Sequence, residues 1–173
     1  MSKVFERELK GILSGDLAWF EKALKSCPTD ILKGYHSIIQ KPFLVIRAAG
    51  SLGVDLVAIR GDVAFPIEVK SSVNDVIRFS ASSGRSSKQA DELRDACRRS
   101  GLVPLYAYKL KHRRGEDPWR VFTVNLEGAR GTLRYVHQLL PKIDESVSGH
   151  YILRWNDGMP LHKFLEYLSH MPG

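Results

Sequence analysis

Two apolar runs, VDLVAI (54–59) and VAFPIEVK (63–70), are separated only by Arg60-Gly61-Asp62. Three residues leave no room for a parallel crossover, so the runs must fold back on each other as an antiparallel hairpin. Gly61-Asp62 fits a two-residue turn with glycine first, the type II′ preference. That turn sets Asp55 opposite Glu68, with Cβ atoms about 4.5–5.5 Å apart. Lys70 points to the same face two residues further on. Pro66 lacks a ladder donor, so a bulge or an unpaired side is expected there.

One hairpin face carries Val54, Leu56 and Ala58 against Phe65, Ile67 and Val69. The other carries Val57, Ile59, Ala64 and Pro66 before it reaches the charged trio. Two carboxylates and an amine therefore converge at one end of an otherwise apolar hairpin. Opposed like charges destabilise a sheet, and burial aggravates the conflict. A divalent cation removes it, and hard oxygen ligands favour Mg²⁺, with Mn²⁺ as a substitute. Such an ion can activate a water and stabilise charge on a phosphate oxygen. A metal-free ion triad is the competing account, but buried triads stabilise little and leave the charge distribution of the chain unexplained.

That distribution is uneven. The chain of 173 residues has a formal charge of +7. Residues 1–50 carry a net +3, 51–77 a net −2, 78–120 a net +6, and 121–173 balance. An acidic island lies between basic flanks, the pattern of a polyanion-binding surface around a cation site. The two cysteines, Cys27 and Cys97, are far apart and lack close partners, which excludes a disulfide framework and a zinc ribbon. The six histidines show no short ligand pairing and read as ordinary side chains. No run approaches the ~18 apolar residues of a membrane span, and charges occupy the N-terminal segment where a secretory signal would be apolar. A single cytoplasmic domain, with no membrane contact, is expected.

Helical spacing predicts helices over 2–13, 16–26 and 29–39, a strand over 42–47, and then the hairpin. Residues 71–85, rich in serine, read as a loop. A helix follows over 86–99, then strands over 103–110 and 119–124 separated by an exposed loop, KHRRGEDP. The last third gives a helix at 128–140, a strand near 150–155 and a helix at 159–169. This order predicts an α/β fold, a mixed sheet flanked by helices.

Asp55, followed thirteen residues on by Glu68-Val69-Lys70, resembles the PD-(D/E)xK nuclease signature. The longer string RAAGSLGVDLVAIRGDVAFPIEVKSS (47–72), with ERELK (6–10), resembles the archaeal-type Holliday junction resolvases. The resemblance covers about residues 3–14 and 43–124 and implies a restriction-endonuclease-like fold. It also implies that Asp55 and Glu68 bind Mg²⁺, that Lys70 is catalytic, and that Glu6 helps complete the metal site, with Glu8 a nearby competitor. Ser51 matches a serine close to the scissile phosphate. Arg7 and Arg47 match positions expected to meet DNA, and Arg85 and Lys88, opening the basic helix, are further candidates.

The implied activity is structure-specific cleavage of branched double-stranded DNA at four-way junctions by a homodimer. Flaps, damaged duplex or foreign DNA are alternative substrates, and a DNA-binding architectural protein that does not cut is the alternative class. The chain departs from the family pattern in a helical insertion at 15–41 and a C-terminal extension at 125–173, within one nuclease domain spanning 1–173.

Overall fold

The computed structural model describes residues 3–79, 85–147 and 149–171. Helix α1 (Lys3–Leu13) buries Leu9, Ile12 and Leu13 and ends where the Ser14 hydroxyl bonds back to the Lys10 carbonyl at 2.8 Å. Asp16 caps α2 (Leu17–Ala23), its carboxylate accepting the Ala18 amide at 3.0 Å. After Pro28 comes α3 (Thr29–His36), which a short 3-10 turn connects towards strand β1 (Leu44–Arg47). Residues 15–41 are therefore helical, as the periodicity predicts.

Strands β1, β2 (Leu56–Ile59) and β3 (Ala64–Ser72) form an antiparallel meander. From β3 the chain passes through β4 (Val76–Phe79) and α4 (Arg85–Ser100) before β5 (Leu105–Leu110) returns parallel to β3. Strand β6 (Trp119–Phe122) follows antiparallel to β5. Helix α5 (Thr132–Leu139), β7 (Asp144–Glu145), β8 (Tyr151–Arg154), β9 (Met159–Pro160) and α6 (Leu161–Ser169) complete the chain. The main sheet has the order β1-β2-β3-β5-β6-β9, and β4-β8-β7 make a smaller one.

The hairpin register is the expected one: Leu56 pairs with Ile67 and Ile59 with Ala64, with no interruption at Pro66. Pairing of β3 with β5 starts only at Ile67, so the missing proline donor falls on an unpaired side. The turn is not type II′, because Gly61 lacks the positive φ that this geometry requires. Arg60 holds it instead, gripping both carboxylate oxygens of Asp62 at 2.6 and 2.7 Å.

Each sheet face has its own core. Leu56, Ala58, Phe65, Ile67, Val69 and Ala107 pack with α1, α3 and α6 on one side. Tyr106, Tyr108 and Phe122 pack on the other with Ala90, Leu93 and Cys97 of α4 and with Phe79, Tyr151 and Leu153 of the small sheet. Both cysteines are buried free thiols, with burial pushing Cys27 up to about 11 and Cys97 up to about 12. They pack as small apolar core residues.

Two sequence expectations need correction. Residues 76–79, placed in the serine-rich loop, form β4 because β8, more than seventy residues downstream, supplies its ladder. The 111–118 segment is not uniformly exposed: Asp117 and Pro118 are buried. The Asp117 carboxylate accepts the Tyr35 hydroxyl, the Trp119 amide (2.9 Å), the His162 amide (2.9 Å) and His162 Nδ1 (2.7 Å). This cluster fixes α3 and the start of α6 to the entry of β6.

Candidate active site

Asp55 stands just before β2, where the hairpin ladder ends. Its amide donates to the Ile67 carbonyl at 2.9 Å, although Ile67 is already the partner of Leu56. Two consecutive residues thus face one, as in a β-bulge, a device that re-aims a side chain beside a site. The bulge anticipated at Pro66 sits at Asp55, so Asp55 does not lie in strict opposition to Glu68. The carboxylate then takes the Val69 amide at 2.7 Å and is anchored to the backbone of β3.

Glu68 and Lys70 point from β3 to one face. Glu68 is buried, and its carboxylate lies 2.7 Å from Lys70 Nζ. The ammonium also sits 4.4 Å over the ring of Phe79. Gly50, Gly53, Asp55, Glu68, Val69, Lys70 and Gln89 line one open cleft. Gly53 has φ +77°, and a Cβ there would come within 3.2 Å of Gln89, so glycine is needed for the loop to meet α4.

Asp55 also borders a second hollow, formed with Lys3, Glu6, Arg47, Ala49 and Gly50. It is thus shared between Glu68 on one side and Glu6 on the other. Burial pushes the Asp55 carboxyl up to about 6; the Val69 amide opposes this, while nearby Glu6 and Glu68 add to it. Burial also raises Glu68, against the pull of Lys70. Crowded, partly desolvated carboxylates of this kind are relieved by a cation. Asp55 and Glu68 are a fitting donor set for Mg²⁺, which takes one or two carboxylates and otherwise keeps water or phosphate oxygens.

Among the described residues no three His, Cys, Asp or Glu side chains are grouped closely enough to hold a metal. Glu6 lines the hollow beside Asp55, and Arg47 holds its carboxylate at 3.3 Å. Its competitor Glu8 faces elsewhere, bonded to Lys109 Nζ and Trp119 Nε1, each at 2.7 Å. Glu8 is a structural carboxylate, and only tertiary contacts separate it from Glu6. Replacing Glu8 by Gln should weaken its charge-assisted bonds to Lys109 and Trp119 and lower stability by about 2 kcal/mol, read by urea denaturation.

Ser51 occupies an exposed 3-10 turn (Ser51–Gly53) between two glycines of the cleft. Arg7 and Arg47 are exposed near Glu6. Lys88 is exposed on α4, only loosely paired with Glu92 at 3.9 Å, and the Arg85 side chain lies outside the described residues. Phe79 and Gln89 are site residues that the motif does not mark. The β-branched and aromatic run Val76-Ile77-Arg78-Phe79 carried a strand signal for the first; nothing local marks the second.

The family model described as archaeal Holliday junction resolvase (Hjc) matches residues 36–153. This chain belongs to that family. The match spans Arg47, Ser51, Asp55, Glu68 and Lys70 and runs on through most of β8, whereas Glu6 and Arg7 precede it. The restriction-endonuclease-like mixed sheet of the resolvases is the fold described above. Among solved structures, Archaeoglobus fulgidus Hjc, a Holliday junction resolvase from an archaeal hyperthermophile, is similar at 22% identity and a TM-score of 0.45, over 84% of this chain and 94% of that one. No curated protein sequence matches the chain significantly. No helix among the described residues is long and apolar enough to cross a membrane.

Proposed function

We propose that this resolvase-family chain is a Mg²⁺-dependent endonuclease that hydrolyses phosphodiester bonds in four-way DNA junctions. The observation that carries the reading is the convergence of Asp55, Glu68 and Lys70 on one open cleft. Asp55 and Glu68 would hold the cation. When bound, it supplies Lewis-acid stabilisation of phosphate charge and an acidified water.

The side chains have separable tasks. The Val69 amide fixes Asp55 so that its carboxylate need not reorganise during the reaction. Glu68 and the Phe79 ring hold the Lys70 ammonium in position. From there Nζ donates hydrogen bonds, either to a phosphate oxygen or to the attacking water. Water oxygen bonds to phosphorus as the bond to the leaving deoxyribose oxygen breaks, and a proton released by the water is balanced by one taken up at that oxygen. Arg47 restrains Glu6 at the lip and is exposed enough to meet the DNA backbone.

The test uses labelled four-way junction, flap and linear duplex, each with Mg²⁺ and with EDTA. Paired symmetric cuts in the junction, dependent on Mg²⁺, are expected. Preferential cutting of flap or duplex would retain the site and overturn the junction reading, and tight binding with no cleavage would leave an architectural protein.

Three variants sharpen it. Glu6→Gln should reduce cleavage by about 10–100-fold, as expected for a group that supports a metal site without filling it. Glu8→Gln, assayed where it is folded, should cut as the wild type does. Arg47→Ala should weaken binding similarly across junction sequences and lower the slope of log affinity against log salt by about one, measured by fluorescence anisotropy.

A further inference from the structure

Strand β5 places two tyrosines on the face that carries Glu68 and Lys70, because Tyr106 pairs with Glu68 and Tyr108 with Lys70. Both side chains are fully buried. Their hydroxyls fare differently. Tyr108 donates to the Asn74 carbonyl. The Tyr106 hydroxyl has no hydrogen-bond partner among the described residues, and it is the one buried side-chain polar atom of those residues left so. An orphaned buried hydroxyl destabilises a fold, and phenylalanine would fill the same space without that penalty.

The surroundings leave this hydroxyl one strong acceptor. Burial, and after burial the Glu68 carboxylate, push it well above the ordinary tyrosine range, so it keeps its proton. Its other electrostatic neighbours are Tyr151, Cys97 and Arg94. Arg94 has nothing to accept with, a thiol accepts weakly, and the Tyr151 hydroxyl already serves Arg94 and Asp91. Glu68 remains. Its carboxylate is engaged by Lys70 at 2.7 Å. The Phe79 ring borders both groups, 4.4 Å from Lys70 Nζ and 6.2 Å from the Tyr106 ring centre.

We propose that Tyr106 is a positioning residue for the metal site: its hydroxyl donates to the Glu68 carboxylate when that carboxylate turns from Lys70 to a divalent cation. The inference rests on the reading of Asp55 and Glu68 as cation ligands. A ligating carboxylate needs a further hydrogen bond to fix its orientation, and Lys70 cannot supply it once its ammonium serves the phosphate or the attacking water. The hydroxyl is thus orphaned in one state of Glu68 and paired in the other, which accounts for a tyrosine where phenylalanine would pack as well. Being fully buried, it reaches neither DNA nor the reacting phosphate and acts only through Glu68.

The test is Mn²⁺ binding to the DNA-free protein, read by electron paramagnetic resonance of the free ion, with thermal melting in EDTA. Tyr106→Phe should weaken Mn²⁺ binding by about tenfold or more. In EDTA it should melt at or above the wild-type temperature, since it deletes a hydroxyl that bonds to nothing there. Tyr108→Phe breaks a bond that is made, so it should melt lower yet bind Mn²⁺ within about twofold of the wild type. Junction cleavage by Tyr106→Phe should fall at limiting Mg²⁺ and recover when Mg²⁺ is raised. Unchanged Mn²⁺ affinity in Tyr106→Phe, a lower melting temperature in EDTA, or a loss of cleavage that no Mg²⁺ restores overturns the inference and leaves the cation ligands standing. A wild type that binds no more Mn²⁺ than Asp55→Asn overturns the cation reading itself, and this inference falls with it.

Discussion

Asp55→Asn should abolish Mg²⁺-dependent junction cleavage, with the rate falling ~10³-fold or more, the several kcal/mol that a metal contributes to stabilising a phosphoryl transition state. The fold should survive, because an amide oxygen can still accept the Val69 amide that Asp55 takes at 2.7 Å. Junction affinity in EDTA should be retained within a few-fold, so that the loss lies in chemistry.

The same substitution should raise the melting temperature of the metal-free protein at neutral pH. Its folded-state carboxyl is pushed up to about 6, chiefly by burial, so ionisation at pH 7 opposes folding. Each kcal/mol relieved is worth roughly 2–4 °C in a domain of this size. A variant that loses cleavage and gains stability would mark a carboxylate kept for function against its structural cost. A variant that loses both would assign Asp55 a structural role.

Asp117→Ala should be the most destabilising single change away from the cleft, at about 3–5 kcal/mol. One buried carboxylate accepts from Tyr35, from the Trp119 amide, and from both the amide and Nδ1 of His162. Its removal leaves these donors buried without partners, each carrying a desolvation penalty of about 1–3 kcal/mol. Asp117 is also a negative group at the N-terminus of α6, where the helix dipole favours one. Thermal melting should fall by ~10 °C. Tyr35→Phe, which removes a single donor, should cost about 1 kcal/mol. If Asp117→Ala melts within a degree or two of the wild type, the cluster is not the anchor described.

The parts legible in the sequence are those written in short-range spacing. The β2–β3 register follows from the two runs and the short connection between them, and it survives the failure of the II′ turn because Arg60 and Asp62 close the loop by another means. Glu68 and Lys70 share a face because strand side chains alternate. What escaped depends on distant partners. Asp55 reaches the cleft through a bulge against Ile67, which no periodicity announces. Phe79 reaches Lys70 only because β8 pairs with β4. Glu6 and Glu8, two residues apart on one helix, differ by where Arg47 and Lys109 happen to arrive. Asp117 lies in a hydrophilic segment whose exposure seemed evident until Tyr35 and His162 closed over it.

The contact between α3 and α6 has a consequence for how the chain is made. Tyr35 and Ile38 are covered by a helix that follows them only after the whole main sheet has been laid down. Strand β9, which completes the sheet edge beside β6, emerges just ahead of that helix. A growing polypeptide must therefore carry an unfinished apolar layer from the emergence of α3 onward, and this layer closes only when residues 159–169 arrive.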